Sequence, residues 1–125
     1  MDNGADAMDK RKVMKEEYKQ ALRPMGVFQV RNLVNGKVMI VRGLNIDGKI
    51  NSTRFQLEMG SHMNKELQQD WKTYGADSFA FEVLELLEPV EGPAPDYTQD
   101  LEVLEELWLE KVQPYGESGY HKMKS

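Results

Sequence analysis

One stretch, GVFQVRNLVNGKVMIV at residues 26–41, decides how the rest of this chain is interpreted. Two runs rich in β-branched residues flank Asn35-Gly36, and an Asn-Gly pair in that setting is the strongest short-range signal for a β-hairpin. Asn and Gly both accept the left-handed backbone conformations that a tight turn requires. The stretch therefore predicts two antiparallel strands over about 26–42.

Apolar spacing on either side of the hairpin predicts the remaining elements. They are a helix over 6–22, a helix over 46–59, a helix from the N-cap Asn64 to Gly75, a strand over 78–87, a loop over 88–98 and a helix over 100–112. The second of these helices carries Ile46, Ile50, Thr53 and Leu57 on one face, and the third carries Leu67, Trp71 and Tyr74. A three-stranded sheet needs helices over its apolar faces. The expected fold is one α/β (α+β) domain with a small, mainly antiparallel sheet flanked by helices.

Composition limits the class of protein. The chain has 125 residues, 40% of them hydrophobic and 30% charged, which is typical of a globular domain rather than a disordered segment. It has no cysteine, which excludes disulfides and thiolate metal sites and favours a cytoplasmic location. No apolar run is long enough to span a membrane. We expect an N-terminal helical extension over 1–25, the main domain over 26–121 and a tail over 122–125.

Charge is distributed unevenly along the chain. The net charge is −5, but residues 1–65 hold 12 Lys/Arg against 7 Asp/Glu, whereas residues 66–125 hold 4 against 14. Because phosphate neutralisation supplies most nucleic-acid affinity, cations of the first half gathered on one face would favour DNA as a partner. The acidic second half would suit a protein partner instead. An ordinary solvated surface with uneven charge explains the same numbers.

A single glutamate breaks the pattern of the last helix. At about 100° per residue, Glu105 falls inside the predicted apolar arc, away from the other glutamates of this helix. The arc consists of Leu101, Leu104, Leu107, Trp108, Leu109 and Val112. A carboxylate directed at a core needs an ion pair, hydrogen bonds or a metal. Two interpretations stay open: Glu105 pairs with a lysine or arginine, or it ligates a divalent metal such as Mg²⁺, which often takes only one or two protein carboxylates.

An ordered set of short motifs resembles the GIY-YIG nuclease pattern over about residues 26–121. The matching segments are Gly26-Val27-Phe28, residues 35–41, Gly60-Ser61-His62, Leu67-Gln68, Trp71, Tyr74-Gly75, residues 81–85, Leu104-Glu105 and Gly119-Tyr120. The resemblance implies a three-stranded sheet flanked by helices and metal-assisted hydrolysis of DNA. In this family two tyrosines position the attacking water, an arginine stabilises phosphoryl charge, and a glutamate binds one divalent metal ion.

Matched position by position, the resemblance assigns candidate site residues. The two tyrosine positions hold Phe28 and Met39, and the arginine position holds Lys49. Val41 stands where the second motif ends in glycine, and Thr53 stands at a histidine position. A loop histidine matches His62, and a terminal asparagine position holds His121. Glu105 occupies the position of the metal-binding glutamate, so Mg²⁺ or Mn²⁺ is the implied cofactor if the site is active.

These substitutions lead to two hypotheses about function. The first is a degenerate GIY-YIG nuclease-like domain, weakly active or inactive, which binds nucleic acid or a protein and uses Arg42, Lys49 and Arg54 for nucleic acid. The second is a divergent metal-dependent endonuclease that uses Lys49, His62, His121 and Glu105. Phe28 and Met39 are also ordinary core residues for a hairpin, and their loss of hydroxyl groups favours the first hypothesis.

Overall fold

The computed structural model describes residues 24–89 and 96–123. Its strands are β1 (Met25–Asn32), β2 (Val38–Gly43) and β3 (Phe79–Leu87), and its helices are α1 (Ile46–Met59), α2 (Lys65–Tyr74) and α3 (Thr98–Val112). Short 3-10 turns lie at Ala76–Ser78 and Gly116–Ser118. The predicted helix over 6–22 and most of the predicted loop over 88–98 lie outside the described residues.

The three strands form one antiparallel sheet in the order β2-β1-β3, as predicted. Phe28 pairs with Val41 and Val30 pairs with Met39 across the hairpin. The connection between the strands is longer than a two-residue turn, because the Asn32 N–H bonds to the Lys37 carbonyl at 2.8 Å. The Asn-Gly pair therefore lies inside a five-residue connection over 33–37.

Alternation along the strands divides the sheet into two apolar faces. The face towards α1 and α2 carries Phe28, Val30 and Met39, which pack with buried residues of both helices. The opposite face carries Val27, Val38 and Ile40, which pack against Leu104 of α3. Both faces are thus covered by helices, and β2 forms one edge of the sheet.

The helices begin and end close to where the sequence predicts. Asn45 and Asn64 cap α1 and α2 by accepting hydrogen bonds from Gly48 N–H and Leu67 N–H. Gly60 ends α1 and Gly75 ends α2. No helix in the part of the chain that the structure describes is long and apolar enough to cross a membrane.

Two residues that the sequence predicts to be buried are exposed in the structure. Leu107 is 57% exposed and Tyr74 is 40% exposed. Leu107 lies at the far limit of its arc, and a three-stranded sheet is too narrow to cover an arc that wide. Tyr74 is the last residue of α2, one turn beyond Trp71, whose ring packs against Phe79 with centroids 5.1 Å apart and fills the space above the sheet.

Candidate functional site

An ion pair at the β2 edge joins Arg42 to Glu105. Alternation places Arg42 on the α3 side of β2, two residues after Ile40. Its Nη1 lies 2.6 Å from Glu105 Oε1, and its Nη2 lies 3.6 Å from Glu102 Oε1. The Glu105 side chain is only 21% exposed. Of the two interpretations left open for Glu105, the structure contains the ion pair with an arginine.

The chain after α3 returns alongside the edge of β2. Tyr120 N–H donates to the Val38 carbonyl at 3.0 Å, and Ile40 N–H donates to His121 Nε2 at 2.8 Å. Gly119 makes this path possible, because a Cβ at this position would overlap the Pro114 backbone. The returning segment therefore covers backbone groups that an edge strand would otherwise expose.

His121 lies at this edge as a neutral imidazole. Burial lowers its pKa below 6.5, although the nearby Glu105 carboxylate opposes the shift. Because Nε2 accepts from Ile40 N–H, the proton of the neutral ring resides on Nδ1. The nitrogen lone pair of His121 is thus engaged in holding β2 in place.

A buried tyrosine anchors the returning segment. Asn32 Nδ2 donates to the Tyr120 hydroxyl at 3.0 Å, and that hydroxyl donates to Asp70 Oδ2 at 2.8 Å. Asn64 Nδ2 donates to the Tyr120 carbonyl at 2.9 Å. Burial raises the pKa of Tyr120 well above its usual range. Sequence reasoning did not find this network, although a buried tyrosine normally needs a hydrogen-bond partner.

The two tyrosine positions of the motif lie on the other face of the sheet, inside the core. Phe28 is 0% exposed and Met39 is 8% exposed, and both belong to the cluster under α1 and α2. Val41 is partly buried against the same cluster. These positions supply apolar packing and no hydroxyl group.

Lys49 and His62 lie near one another on the α1 side. Lys49 is exposed in the first turn of α1. It lies next to Gly43, because a Cβ added to Gly43 would be 3.1 Å from the Cβ of Lys49. Burial and the positive charge of Lys49 lower the pKa of His62. His62 Nδ1 accepts from Asn64 N–H at 3.0 Å, so the ring supports the start of α2. Thr53 is buried, 3% exposed.

The three cations predicted to bind nucleic acid do not share one face. Arg42 lies on the α3 side and is ion-paired, whereas Lys49 and Arg54 belong to α1 on the opposite side. The Arg54 guanidinium carbon lies 4.6 Å from the centroid of the Phe81 ring. Of these three cations, Arg42 is therefore the one engaged by carboxylates, and Lys49 and Arg54 are exposed on α1.

The residues around Glu105 do not fit a divalent metal ion as they are arranged. The guanidinium of Arg42 contacts one carboxylate oxygen at 2.6 Å, and His121 Nε2 is already bonded to Ile40 N–H. Mg²⁺ requires oxygen ligands at about 2.0–2.1 Å in near-octahedral geometry. Within residues 24–89 and 96–123, no group of three or more His, Asp or Glu side chains is placed to hold a metal.

Two solved structures share this fold. One is the catalytic domain of the homing endonuclease I-TevI, with a TM-score of 0.65 and 21% identity over 80% of this chain and 99% of that chain. The other, a glutamate-to-alanine mutant of the catalytic domain of the intron endonuclease I-TevI, gives 0.60 and 21% over 72% and 84%. No protein-family model and no curated protein matches the chain. The likeness defines the fold: this chain has the GIY-YIG nuclease fold that its motifs predict.

Proposed function

We propose that this chain is a nuclease-like domain that has lost efficient phosphodiester hydrolysis and acts by binding nucleic acid. One observation carries the proposal: Phe28 and Met39 are buried core residues at the positions where the resembling nucleases use tyrosine hydroxyls. Lys49 stands at the arginine position and lacks the bidentate guanidinium. Removal of a single donor that stabilises transition-state charge costs an enzyme about 10²–10³-fold in rate.

Binding of nucleic acid is supported by the fold and by the cations of α1. Both similar solved structures are domains of DNA-directed enzymes by name, a homing endonuclease and an intron endonuclease. Lys49 and Arg54 are exposed on α1, and the first half of the sequence carries the positive excess. The proposal places the phosphate contacts there, away from the acidic second half.

A nicking assay tests the loss of hydrolysis. Supercoiled plasmid is incubated with the wild type or Glu105→Ala in the presence of Mg²⁺ or Mn²⁺. The proposal expects the same background rate from both proteins. Nicking that is present in the wild type and absent in Glu105→Ala would contradict it.

A second assay tests binding. Fluorescence anisotropy of labelled duplex DNA gives Kd over a range of salt concentrations for the wild type, for Lys49→Ala/Arg54→Ala and for the control Lys72→Ala, which removes an exposed lysine of α2. Removing two phosphate contacts lowers the slope of log K against log salt by about 2. If the wild type shows no salt-dependent affinity for DNA, the proposal is contradicted and a protein partner is favoured, for which α1 exposes Phe55 and Met59.

The second candidate function is a divergent metal-dependent endonuclease. It is favoured by the neighbouring positions of Glu105 and His121, since the Glu105 carboxylate is close enough to oppose the lowering of the His121 pKa by burial. It requires the Glu105 carboxylate to leave Arg42 when metal and DNA bind. The Glu105-dependent nicking described above is the result that would establish it.

A further inference from the structure

The contact between Arg42 and Glu105 has a consequence for metal binding. We propose that the Arg42 guanidinium permanently occupies the cation position at Glu105, so that this site holds an internal cation in place of a divalent metal ion. This inference deepens the proposed function and rests on it, since it gives a physical reason for the loss of hydrolysis. It concerns the α3 side of the sheet. The changes at Phe28 and Met39 lie on the opposite side.

The fold directs Arg42 to this position. Val38 and Ile40 point from β2 towards α3, where they pack with Leu104. Arg42 continues the same alternation at the open end of the strand, and Glu105 follows Leu104 on the helix. The two charged side chains are thus brought together by the packing that builds the core.

The guanidinium lies within ion-pair distance of two carboxylates of α3. Glu102 and Glu105 are one turn apart on α3, and nitrogens of Arg42 lie 3.6 Å and 2.6 Å from their Oε1 atoms. Arginine stays protonated throughout the accessible pH range, so the positive charge is permanent. A divalent ion at Glu105 would have to displace this cation or tolerate its repulsion at short range.

The neighbouring donor is also engaged. His121 is a potential nitrogen ligand at this edge, but its Nε2 accepts from Ile40 N–H at 2.8 Å. A metal ion would therefore gain one carboxylate only after breaking an ion pair, and an imidazole only after exposing the edge of β2. Removal of the guanidinium, by contrast, leaves two carboxylates on one helix surface without a cation.

Titration with Mn²⁺, followed by the electron paramagnetic resonance signal of the free ion, tests the proposal. We expect no difference between the wild type and Glu105→Gln. We expect Arg42→Gln to bind Mn²⁺ at least tenfold more tightly than the wild type, and the gain to disappear in Arg42→Gln/Glu105→Gln. Arg31→Gln is the matched control, because it breaks the exposed ion pair with Glu82 on β3 and should gain no affinity.

The variant Arg42→Lys tests whether the positive charge of Arg42, rather than the shape of its guanidinium, excludes the metal ion. Lysine keeps a positive charge beside Glu105, so this variant should remain as unresponsive to Mn²⁺ as the wild type. Wild-type Mn²⁺ binding that Glu105→Gln removes would overturn the proposal, and this comparison needs no Arg42 variant to fold. A folded Arg42→Gln protein, checked by circular dichroism, that gains no Mn²⁺ affinity would also overturn it.

The two proposals fail in different ways. Failure to gain Mn²⁺ affinity, with salt-dependent DNA binding intact and no nicking by the wild type, would overturn only the role of Arg42. Glu105-dependent nicking by the wild type would overturn the proposed function itself.

Discussion

The two sides of the sheet depart from the nuclease pattern in different ways. On the α1 side, the tyrosine positions are filled by buried apolar groups, Phe28 and Met39. On the α3 side, the glutamate position keeps its carboxylate, but an arginine of the same chain neutralises it. One side has become core, and the other has become a network of ion pairs and hydrogen bonds around β2.

This difference separates what the fold requires from what hydrolysis requires. A sheet of three strands needs apolar residues on both faces, and Phe28 and Met39 meet that need without hydroxyl groups. The edge of β2 needs partners for its backbone and for Glu105, and His121, Tyr120 and Arg42 supply them. In each case the residue that is present has a structural role that needs neither a hydroxyl group nor a metal ion.

The largest expected effect tests the apolar side. Phe28→Ala should lower the free energy of unfolding by about 3–5 kcal/mol, because it removes a fully buried ring from a packed core. Val83→Ala, at the residue of β3 that pairs with Phe28, is the control, since Val83 is 50% exposed and its truncation should change stability by no more than about 0.5 kcal/mol. Urea denaturation measures both. Equal, small effects would show that Phe28 is not part of the core.

The next effect tests the anchor of the polar side. Tyr120→Phe should lower the free energy of unfolding by about 1–3 kcal/mol, because it leaves the buried Asn32 amide without its partner and removes the bond to Asp70. Tyr74→Phe is the control, since Tyr74 is 40% exposed at the end of α2. A Tyr120→Phe protein as stable as the wild type would contradict the anchoring role.

A smaller effect concerns the neutral histidine at the β2 edge. His121→Ala should lower the free energy of unfolding by about 0.5–1.5 kcal/mol by removing the acceptor of Ile40 N–H. Because burial lowers the pKa of His121 in the folded state, the unfolded chain binds more protons as pH falls below 6.5, and wild-type stability decreases there. The variant should lose part of this pH dependence. An unchanged stability profile between pH 7 and pH 5 would contradict the buried, neutral ring.

The smallest effect comes from the opposite edge of the sheet. Arg31 donates two hydrogen bonds to Glu82, and Gln29 donates a third, which lowers the pKa of Glu82 from 4.5 to about 2. A lowered folded-state pKa means that the contribution is present above pH 4.5 and is lost as pH falls towards 2. Since both side chains are more than a third exposed, solvent screens the pair and its contribution is small. Glu82→Gln should flatten the acid limb of the stability curve measured by thermal unfolding, and a steeper limb would contradict this.

The sequence predicts the elements of this fold because their signals are local. Periodicity defines the strands of the hairpin and all three described helices, and Asn64 and Gly75 mark the ends of α2. The position of Glu105 inside an apolar arc is also a local signal, and it correctly indicates a partly buried carboxylate in need of a partner. The predictions that Tyr74 and Leu107 are buried are wrong, because periodicity indicates which face of a helix is apolar but not how wide the surface is that covers this face.

The partners within the site could not be predicted, because they depend on how distant elements pack. Arg42 and Glu105 are 63 residues apart, and their contact depends on which face of β2 meets α3. Asn32 and Tyr120 are 88 residues apart and meet because the chain returns along the edge of β2. Neither separation leaves a periodic signal in the sequence.

We propose that each side of the sheet prevents hydrolysis independently of the other. This proposal is tested most directly by single-turnover plasmid nicking with Mn²⁺ by Phe28→Tyr/Met39→Tyr/Lys49→Arg, with and without Arg42→Gln, after circular dichroism has confirmed folding. We expect the triple variant to stay at the background rate of Glu105→Ala while Arg42 is present. Glu105-dependent nicking by the triple variant with Arg42 intact would contradict it.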